Sequence, residues 1–138
     1  MIYRAAAAAL LALTVAIGAC ASGDGPGRTA TKVVNVKLHD SRFVPDHFEF
    51  EVGTTVTFVV ENTDPIDHEF IIGDESVQQA HEEGTEEHHG AKPGELSIPI
   101  GETRRTSYTF DEPGTLLIGC HLPSHYDFGM KGEITVNG

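Results

Sequence analysis

The chain has 138 residues, of which 21 are acidic and 9 are basic, so its length suits one domain and its formal net charge is −12. Gly (15) and Pro (7) are frequent, Trp is absent and the apolar residues fall in short runs, which disfavours a helical bundle and favours an all-β domain. The acidic excess argues against nucleic acid or an anionic membrane surface as a partner and favours metal ions or cationic proteins, although acidity also simply keeps a domain soluble.

The first 20 residues have the pattern of an export signal. A basic residue precedes an apolar run over residues 5–17, and small residues follow up to Cys20. The run is too short for a comfortable membrane span, so residues 1–19 predict a secretory signal peptide. The tetrapeptide Ile-Gly-Ala-Cys that ends at Cys20 resembles the bacterial lipobox and predicts lipidation of this cysteine. The alternative is an ordinary signal cut after Ala21. Either route predicts an exported protein of the cell envelope or periplasm.

A folded domain is predicted over residues 32–138, after a flexible, lipid-anchored linker over residues 20–31 that is small, polar and rich in Gly. Short segments of the domain alternate apolar and polar residues with period two, and turn sequences such as Asp-Glu-Pro-Gly separate them. About eight strands of this kind favour an antiparallel Greek-key β-sandwich or barrel. The predicted strands cover residues 32–38, 48–52, 54–61, 68–72, 95–98, 103–110, 115–120 and 132–136.

An acidic insertion over residues 73–94 interrupts the strand pattern. A short helix is predicted over Ser76–Glu83, and the remainder is predicted as an acidic loop. The insertion also contains His81, His88 and His89 among its carboxylates. These three histidines form a candidate auxiliary metal site, as His-rich tracts bind borderline divalent ions loosely. A solvated charged loop is the simpler alternative. His39 and His47 are predicted to be surface residues.

One loop near the end of the chain carries three side chains that bind soft metals. Cys120 follows a predicted strand, and four residues separate it from His125, which four residues separate from Met130. If Cys20 is lipidated or removed, Cys120 is a lone thiol in a compartment where cysteines normally form disulfides. A thiolate, an imidazole and a thioether suit copper, above all in a trigonal site of two histidines and one cysteine with a distant methionine.

Such a site needs a second histidine from elsewhere in the chain, and His68 is the leading candidate. It follows a turn and begins a predicted strand, where the loop after Cys120 could meet it. His121 should point away from the metal, because side chains alternate along a strand. Taken singly, a buried cysteine, a histidine beside a strand or a methionine is usually structural. Their ordered combination nevertheless predicts one mononuclear copper site.

Residues 32–138 resemble the cupredoxin (blue copper) family. The Cys-x4-His-x4-Met spacing is more similar to rusticyanin and related bacterial cupredoxins than to plastocyanin, whose loop is shorter. The resemblance implies the cupredoxin fold, with His68, Cys120 and His125 as equatorial ligands of one copper ion and Met130 as the axial ligand. The chain departs from many members at Glu69, where they have the Asn or Ser that helps to tie the two ligand loops together. The matching segments are Phe43-x-Pro45, residues 48–58, Asn62, His68-Glu69-Phe70 and residues 114–130.

A single copper site without an open coordination position favours one-electron transfer between redox proteins. No catalytic residue is predicted, and the expected partner is a redox protein with a basic docking surface. The alternative function is copper handling in the envelope, by sequestration or delivery, with the insertion as an auxiliary capture site. The protein is further expected to be a monomer, to bind no nucleic acid and to meet the membrane only through the lipid on Cys20.

Overall fold

The computed structural model describes residues 30–84 and 92–138. Nine strands and one helix form within these two ranges. No helix in the described ranges is long and apolar enough to cross a membrane. The elements are β1 (Thr31–His39), β2 (Arg42–Val44), β3 (His47–Glu51), β4 (Thr54–Asn62), β5 (His68–Gly73), α1 (Glu75–Glu82), β6 (Glu95–Ile98), β7 (Thr103–Phe110), β8 (Gly114–Gly119) and β9 (Lys131–Asn137).

The strands form two sheets, in the orders β2-β1-β4-β7 and β3-β9-β8-β5-β6. All eight predicted strands are present, and each boundary lies within one residue of its prediction. The predicted all-β class is confirmed, but the expectation of antiparallel pairing is wrong for two strand pairs, because β1 pairs with β4 and β3 pairs with β9 in parallel. The reason is that β3 leaves the first sheet for the second. The chain therefore re-enters the first sheet as β4, beside β1 and in the same direction, and does not fold back as a hairpin.

Strand β2 is an element that the sequence pattern does not predict. It has three residues, of which only Phe43 is buried, so it is too short to show a period of two. It pairs with the end of β1 through a tight turn at Asp40 and Ser41. Both turn residues have a φ of 51°, in the left-handed region that Asp tolerates better than most residues.

The core lies between the inner faces of the two sheets, and β4 shows how it is built. The inward side chains of β4 are fully buried, whereas most of their neighbours are partly exposed. Phe58 packs against Phe48, Phe50 and Phe70, with ring centroids 5.3–6.3 Å apart. Burying a phenylalanine side chain stabilises a fold by about 1.5–3 kcal/mol. The aromatic contacts therefore hold the sheets together below the predicted metal-binding end.

Helix α1 packs on the outer face of β5 and β8, so β5 is buried on both of its faces. Asp74 caps the helix, because its carboxylate accepts a hydrogen bond from Val77 N at 3.0 Å. The predicted helix is confirmed, with each end one residue earlier than expected. The first part of the acidic insertion is thus packed against the sheet and does not extend into solvent.

Candidate metal centre

Antiparallel pairing of β5 with β8 brings two distant parts of the chain to the same end of the sandwich. Ile71 of β5 lies opposite Gly119, the last residue of β8. His68 begins β5 and Cys120 directly follows β8, so both side chains sit at this end of the second sheet. His125 belongs to the loop that follows β8, and Met130 directly precedes β9. The sheet register therefore places the predicted ligands of both segments near one point.

The structure brings His68, Cys120 and His125 together, with one candidate ligand atom from each lying within 4.8 Å of the other two. Cys120 Sγ is 3.2 Å from Nδ1 of His125 and 4.0 Å from Nδ1 of His68. His68 and Cys120 are buried and His125 is half-buried. Burial and the nearby His68 lower the pKa of His125, which favours the neutral ring that can bind a metal ion. One thiol sulfur and two imidazole nitrogens converge here, which is a donor set that fits copper.

Met130 is fully buried, and backbone hydrogen bonds hold it at the end of the ligand loop. Its N–H donates to His125 O at 2.9 Å, and its carbonyl accepts from Cys120 N at 3.2 Å. The chain turns back just before it at Gly129, whose φ of 92° is in the left-handed region that favours glycine. These bonds close residues 120–130 into a loop and place the backbone of Met130 next to that of Cys120.

The Cys120 thiol lies in an environment that disfavours its charged form. Burial raises the pKa of Cys120 to about 11, although hydrogen bonds from the backbone N–H groups of Glu69 and Leu122 oppose the shift. The first of these bonds spans 3.3 Å from Glu69 N to Sγ. At neutral pH the metal-free residue is therefore a thiol. A thiolate at this position needs a bound cation to balance its charge.

Binding of a soft metal ion such as Cu(I) is expected to release one proton from Cys120 at about pH 7.5, because the metal binds the thiolate and the raised pKa keeps the free thiol protonated. Adding Cu(I) to weakly buffered protein in the presence of a pH indicator would count the protons. The same titration of Cys120→Ser should release about one proton fewer per ion. Equal proton release by the two proteins would show that the thiol is not the source.

Glu69 links the first ligand segment to the loop that follows β8. Its side chain is buried, and its carboxylate accepts a hydrogen bond from His121 N at 3.2 Å. The start of β5 is thereby tied to the ligand loop. The negative charge of this buried carboxylate adds to the rise in the Cys120 pKa.

Asp64 is a residue of this site that the sequence analysis did not single out. Its carboxylate lies 2.9 Å from Nε2 of His68 and accepts hydrogen bonds from Asp40 N and Ser41 N, both at 2.8 Å. Burial alone would raise the pKa of Asp64, but these hydrogen bonds and the contact with His68 outweigh burial and lower it. Asp64 is therefore a buried, ionised carboxylate behind one of the candidate ligands. Its place four residues before His68 on a turn is the only sequence signal for it.

His121 points away from the candidate ligands, in the direction that strand alternation predicts. Its Nε2 lies 2.7 Å from Gln78 Oε1, its Nδ1 lies 2.8 Å from Glu82 Oε2, and its ring stacks on Tyr126. The side chain of Gln78 in turn donates to the carbonyl of Leu117 in β8 at 3.3 Å. Helix α1 is therefore bonded directly to the loop that carries Cys120 and His125. Nothing in the local sequence indicates this role for Gln78.

The candidate auxiliary site stays a prediction. His88 and His89 lie outside the described residues, as does the predicted lipidation site Cys20. His81 is 6% exposed, and its Nε2 lies 3.8 Å from Glu95 Oε2. The alternative of a solvated loop is therefore wrong for His81, which is packed against the sheet as part of α1.

His39 and His47 are exposed, as expected, and each lies next to a carboxylate. His47 Nδ1 is 2.8 Å from Asp46 Oδ1. His39 lies 3.6 Å from Asp40 and 3.9 Å from Asp64, at the edge of the site. Neither histidine reaches the group formed by His68, Cys120 and His125.

Comparison with known proteins finds a matching family and similar relatives. Residues 30–137 match the model of a family described as copper binding proteins, plastocyanin/azurin family. The copper-resistant cuproprotein CopI of Rubrivivax gelatinosus is 29% identical over 116 residues, which cover 81% of this chain and 70% of the relative. The protein of the same name from Vibrio cholerae serotype O1 is 33% identical over 116 residues, covering 79% of this chain and 68% of the relative.

Among solved structures, auracyanin from the photosynthetic bacterium Roseiflexus castenholzii has a similar fold. It aligns with a TM-score of 0.66 at 23% sequence identity, and the alignment covers 80% of this chain and 99% of auracyanin. At this level of identity the likeness supports the two-sheet architecture. The assignment of individual residues depends on the contacts described above.

Proposed function

Because this chain belongs to the plastocyanin/azurin family of copper-binding proteins, we propose that it holds one copper ion through His68, Cys120, His125 and Met130 and serves copper handling in the bacterial cell envelope. The observation that carries the ligand assignment is the convergence of Cys120 Sγ with the Nδ1 atoms of two histidines. Copper, when bound, supplies a one-electron Cu(I)/Cu(II) couple. The protein supplies a buried, preformed set of donors around it.

Copper handling is the function that the relatives favour. The proteins from R. gelatinosus and V. cholerae are both named as copper-resistant cuproproteins. The acidic composition of the chain also suits a protein that meets free metal ions. In this role the site sequesters copper or delivers it, and the acidic insertion acts as an auxiliary capture site. No catalytic activity is proposed.

Electron transfer is the second candidate, and the burial of the site favours it. His68, Cys120 and Met130 are at most 1% exposed, which leaves only His125 half-buried among the proposed ligands. A rigid, enclosed donor set lowers the reorganisation that accompanies a change of copper oxidation state. In this role the protein docks weakly to a redox partner with a basic surface, because its own surface is acidic.

The cellular setting follows from the sequence and is part of the proposal. Residues 1–19 direct export, Cys20 carries the lipid, and the domain is held at the membrane only through this anchor. The domain acts as a monomer in the envelope or periplasm. Nucleic acid is not a partner of so acidic a chain.

Replacing His88 and His89 by serine is expected to separate the two functions. If the protein handles copper with the help of the insertion, a strain that carries this double variant should grow only to lower copper concentrations than a wild-type strain, because fewer donors capture the ion. The rate at which the purified variant accepts electrons from a basic cytochrome should not change. Substituting these two residues is preferable to deleting the whole insertion. A deletion would also remove α1, which contacts the ligand loop through Gln78 and Glu82.

His47→Ser is the matched control, because it removes an exposed histidine that bonds to Asp46 outside the insertion. It should leave copper tolerance as in the wild type. If the double variant supports full tolerance and the Cys120→Ser protein does so as well, copper handling is the wrong function and electron transfer remains.

A further inference from the structure

The carboxylate of Asp64 is held rigidly behind His68. Its side chain is 7% exposed, and its two oxygens face three hydrogen-bond donors. Asp40 N donates to Oδ1, whereas Ser41 N and the Nε2 of His68 both face Oδ2. A carboxylate with this many fixed donors has a single orientation.

Backbone geometry on both sides keeps this orientation independent of a bound metal. Asp40 and Ser41 both have a φ of 51°, and the turn that they form aims their two N–H groups at the same carboxylate. The backbone of Asp64 itself is held by Asn62, whose Oδ1 accepts a hydrogen bond from Asp64 N at 3.0 Å. The turn between β1 and β2 and the loop between β4 and β5 thus hold the Asp64 carboxylate in place.

This arrangement decides which nitrogen of His68 faces the metal. An ionised carboxylate only accepts hydrogen bonds, so Nε2 of His68 must carry the hydrogen in its contact with Asp64. The lone pair of the neutral ring is then on Nδ1, which is the nitrogen 4.0 Å from Cys120 Sγ. Nδ1 of His125 likewise faces Cys120 Sγ, at 3.2 Å.

We propose that Asp64 is a positioning residue that presents Nδ1 of His68 to copper and, through its negative charge, favours Cu(II) over Cu(I). The proposal rests on the ligand set of the proposed function. No Lys or Arg among the described residues forms an ion pair with Asp64, so the hydrogen bonds from Asp40, Ser41 and His68 are what offset its charge. A carboxylate bonded to a ligating histidine makes that ligand more basic and stabilises the more highly charged ion.

Replacing Asp64 by asparagine tests this role. Loss of a residue that orients a metal ligand typically costs about 10–100-fold in metal affinity. We expect the Cu(II) affinity of Asp64→Asn to fall by about that factor and its Cu(I) affinity to fall less. Each tenfold difference between the two losses raises the reduction potential by about 59 mV. Competition titrations with chelators of each oxidation state and voltammetry of the loaded protein measure these quantities.

Asp40→Asn is the matched control. It also removes one negative charge, from the turn that contacts Asp64, but the Asp40 carboxylate is 87% exposed and the Asp40 backbone N–H still donates to Asp64. Asparagine tolerates the φ of 51° at this position. The control should keep the wild-type potential. Equal potentials in Asp64→Asn, Asp40→Asn and wild type would overturn the proposal.

A measurement on the wild-type protein keeps the test independent of how well Asp64→Asn folds. Nitrogen NMR of the diamagnetic Cu(I) form should find the hydrogen of His68 on Nε2, and a hydrogen on Nδ1 would contradict the proposal. Failure of the ligand set on which the proposed function depends has a different signature. The wild type itself would then show no thiolate-to-Cu(II) absorption. A wild type with that absorption and a potential unaffected by Asp64→Asn would refute the role of Asp64 alone.

Discussion

Replacement of Cys120 by serine is expected to abolish the intense visible absorption of the copper-loaded protein and to lower its Cu(I) affinity. The absorption is expected because a thiolate bound to Cu(II) transfers charge to the metal, which a serine oxygen does not do at these wavelengths. Cys120 is the only free cysteine in the described part of the chain. No other thiol there can replace it.

The Cu(I) affinity of Cys120→Ser should fall by more than about 10–100-fold. That range is typical when a residue that bonds to a metal ligand is removed, whereas here the ligand itself is lost. The hydroxyl would also occupy a fully buried position, where the backbone N–H groups of Glu69 and Leu122 are aimed at the sulfur of the wild type. Two imidazoles and a thioether would remain. Such a set has no anionic donor and holds Cu(I) or Cu(II) less tightly.

Visible and paramagnetic resonance spectra of the reconstituted soluble domain measure this effect. Met130→Leu is the control, since it keeps the thiolate and nearly fills the buried volume of the thioether. Its charge-transfer band should persist, although its reduction potential should change. A Cys120→Ser protein that keeps the band, or a colourless wild type that binds zinc as well as copper, would contradict the copper assignment.

Replacement of Asn62 by alanine is expected to lower the free energy of unfolding by about 2–4 kcal/mol. Asn62 is 1% exposed, and its Nδ2 donates to Ile66 O at 2.8 Å and to Ile98 O at 3.0 Å, while its Oδ1 accepts from Asp64 N. Alanine removes these three hydrogen bonds together. Each buried group left unsatisfied costs about 1–3 kcal/mol, and water entering the space would recover part of that loss.

Urea denaturation of the metal-free domain measures this change. Asn137→Ala is the matched control, because the side chain of Asn137 is exposed and its backbone carbonyl keeps its bond to Val52 N. Such a surface change should stay within about 0.5 kcal/mol of the wild type. Similar stability for the two variants would mean that the Asn62 side chain does not hold the loop between β4 and β5.

The strands and the ligand loop could be predicted because both depend on short-range pattern. Alternation in β4 places Val56, Phe58 and Val60 on one face whatever the rest of the chain does. The spacing of Cys120, His125 and Met130 requires only a loop that closes on itself, as the bond from Met130 N to His125 O now shows. His68 was harder to predict, because its place depends on the pairing of β5 with β8.

Local sequence patterns do not predict three other features of the structure. These are the parallel strand pairing, strand β2 and the burial of His81. Whether β4 lies beside β1 in the same direction depends on where β3 goes, which is a property of the whole sandwich. The acidic composition around His81 favours solvent, yet the residue is buried because α1 packs on β5 and β8. Composition indicates the average exposure of a segment, but it does not indicate whether an individual side chain in that segment is buried.

Short-range sequence patterns are thus sufficient to predict an acidic all-β domain with a loop that binds a soft metal ion. The reason is that strand alternation and close ligand spacing both depend on residues that are near one another in the chain. The tertiary structure alone decides how that loop is supported. Asp64 reaches back 24 residues to Asp40, and Gln78 reaches forward 43 residues to His121. Hydrogen bonds over such separations form only when the sheet register brings their partners together, and no local sequence pattern encodes that register.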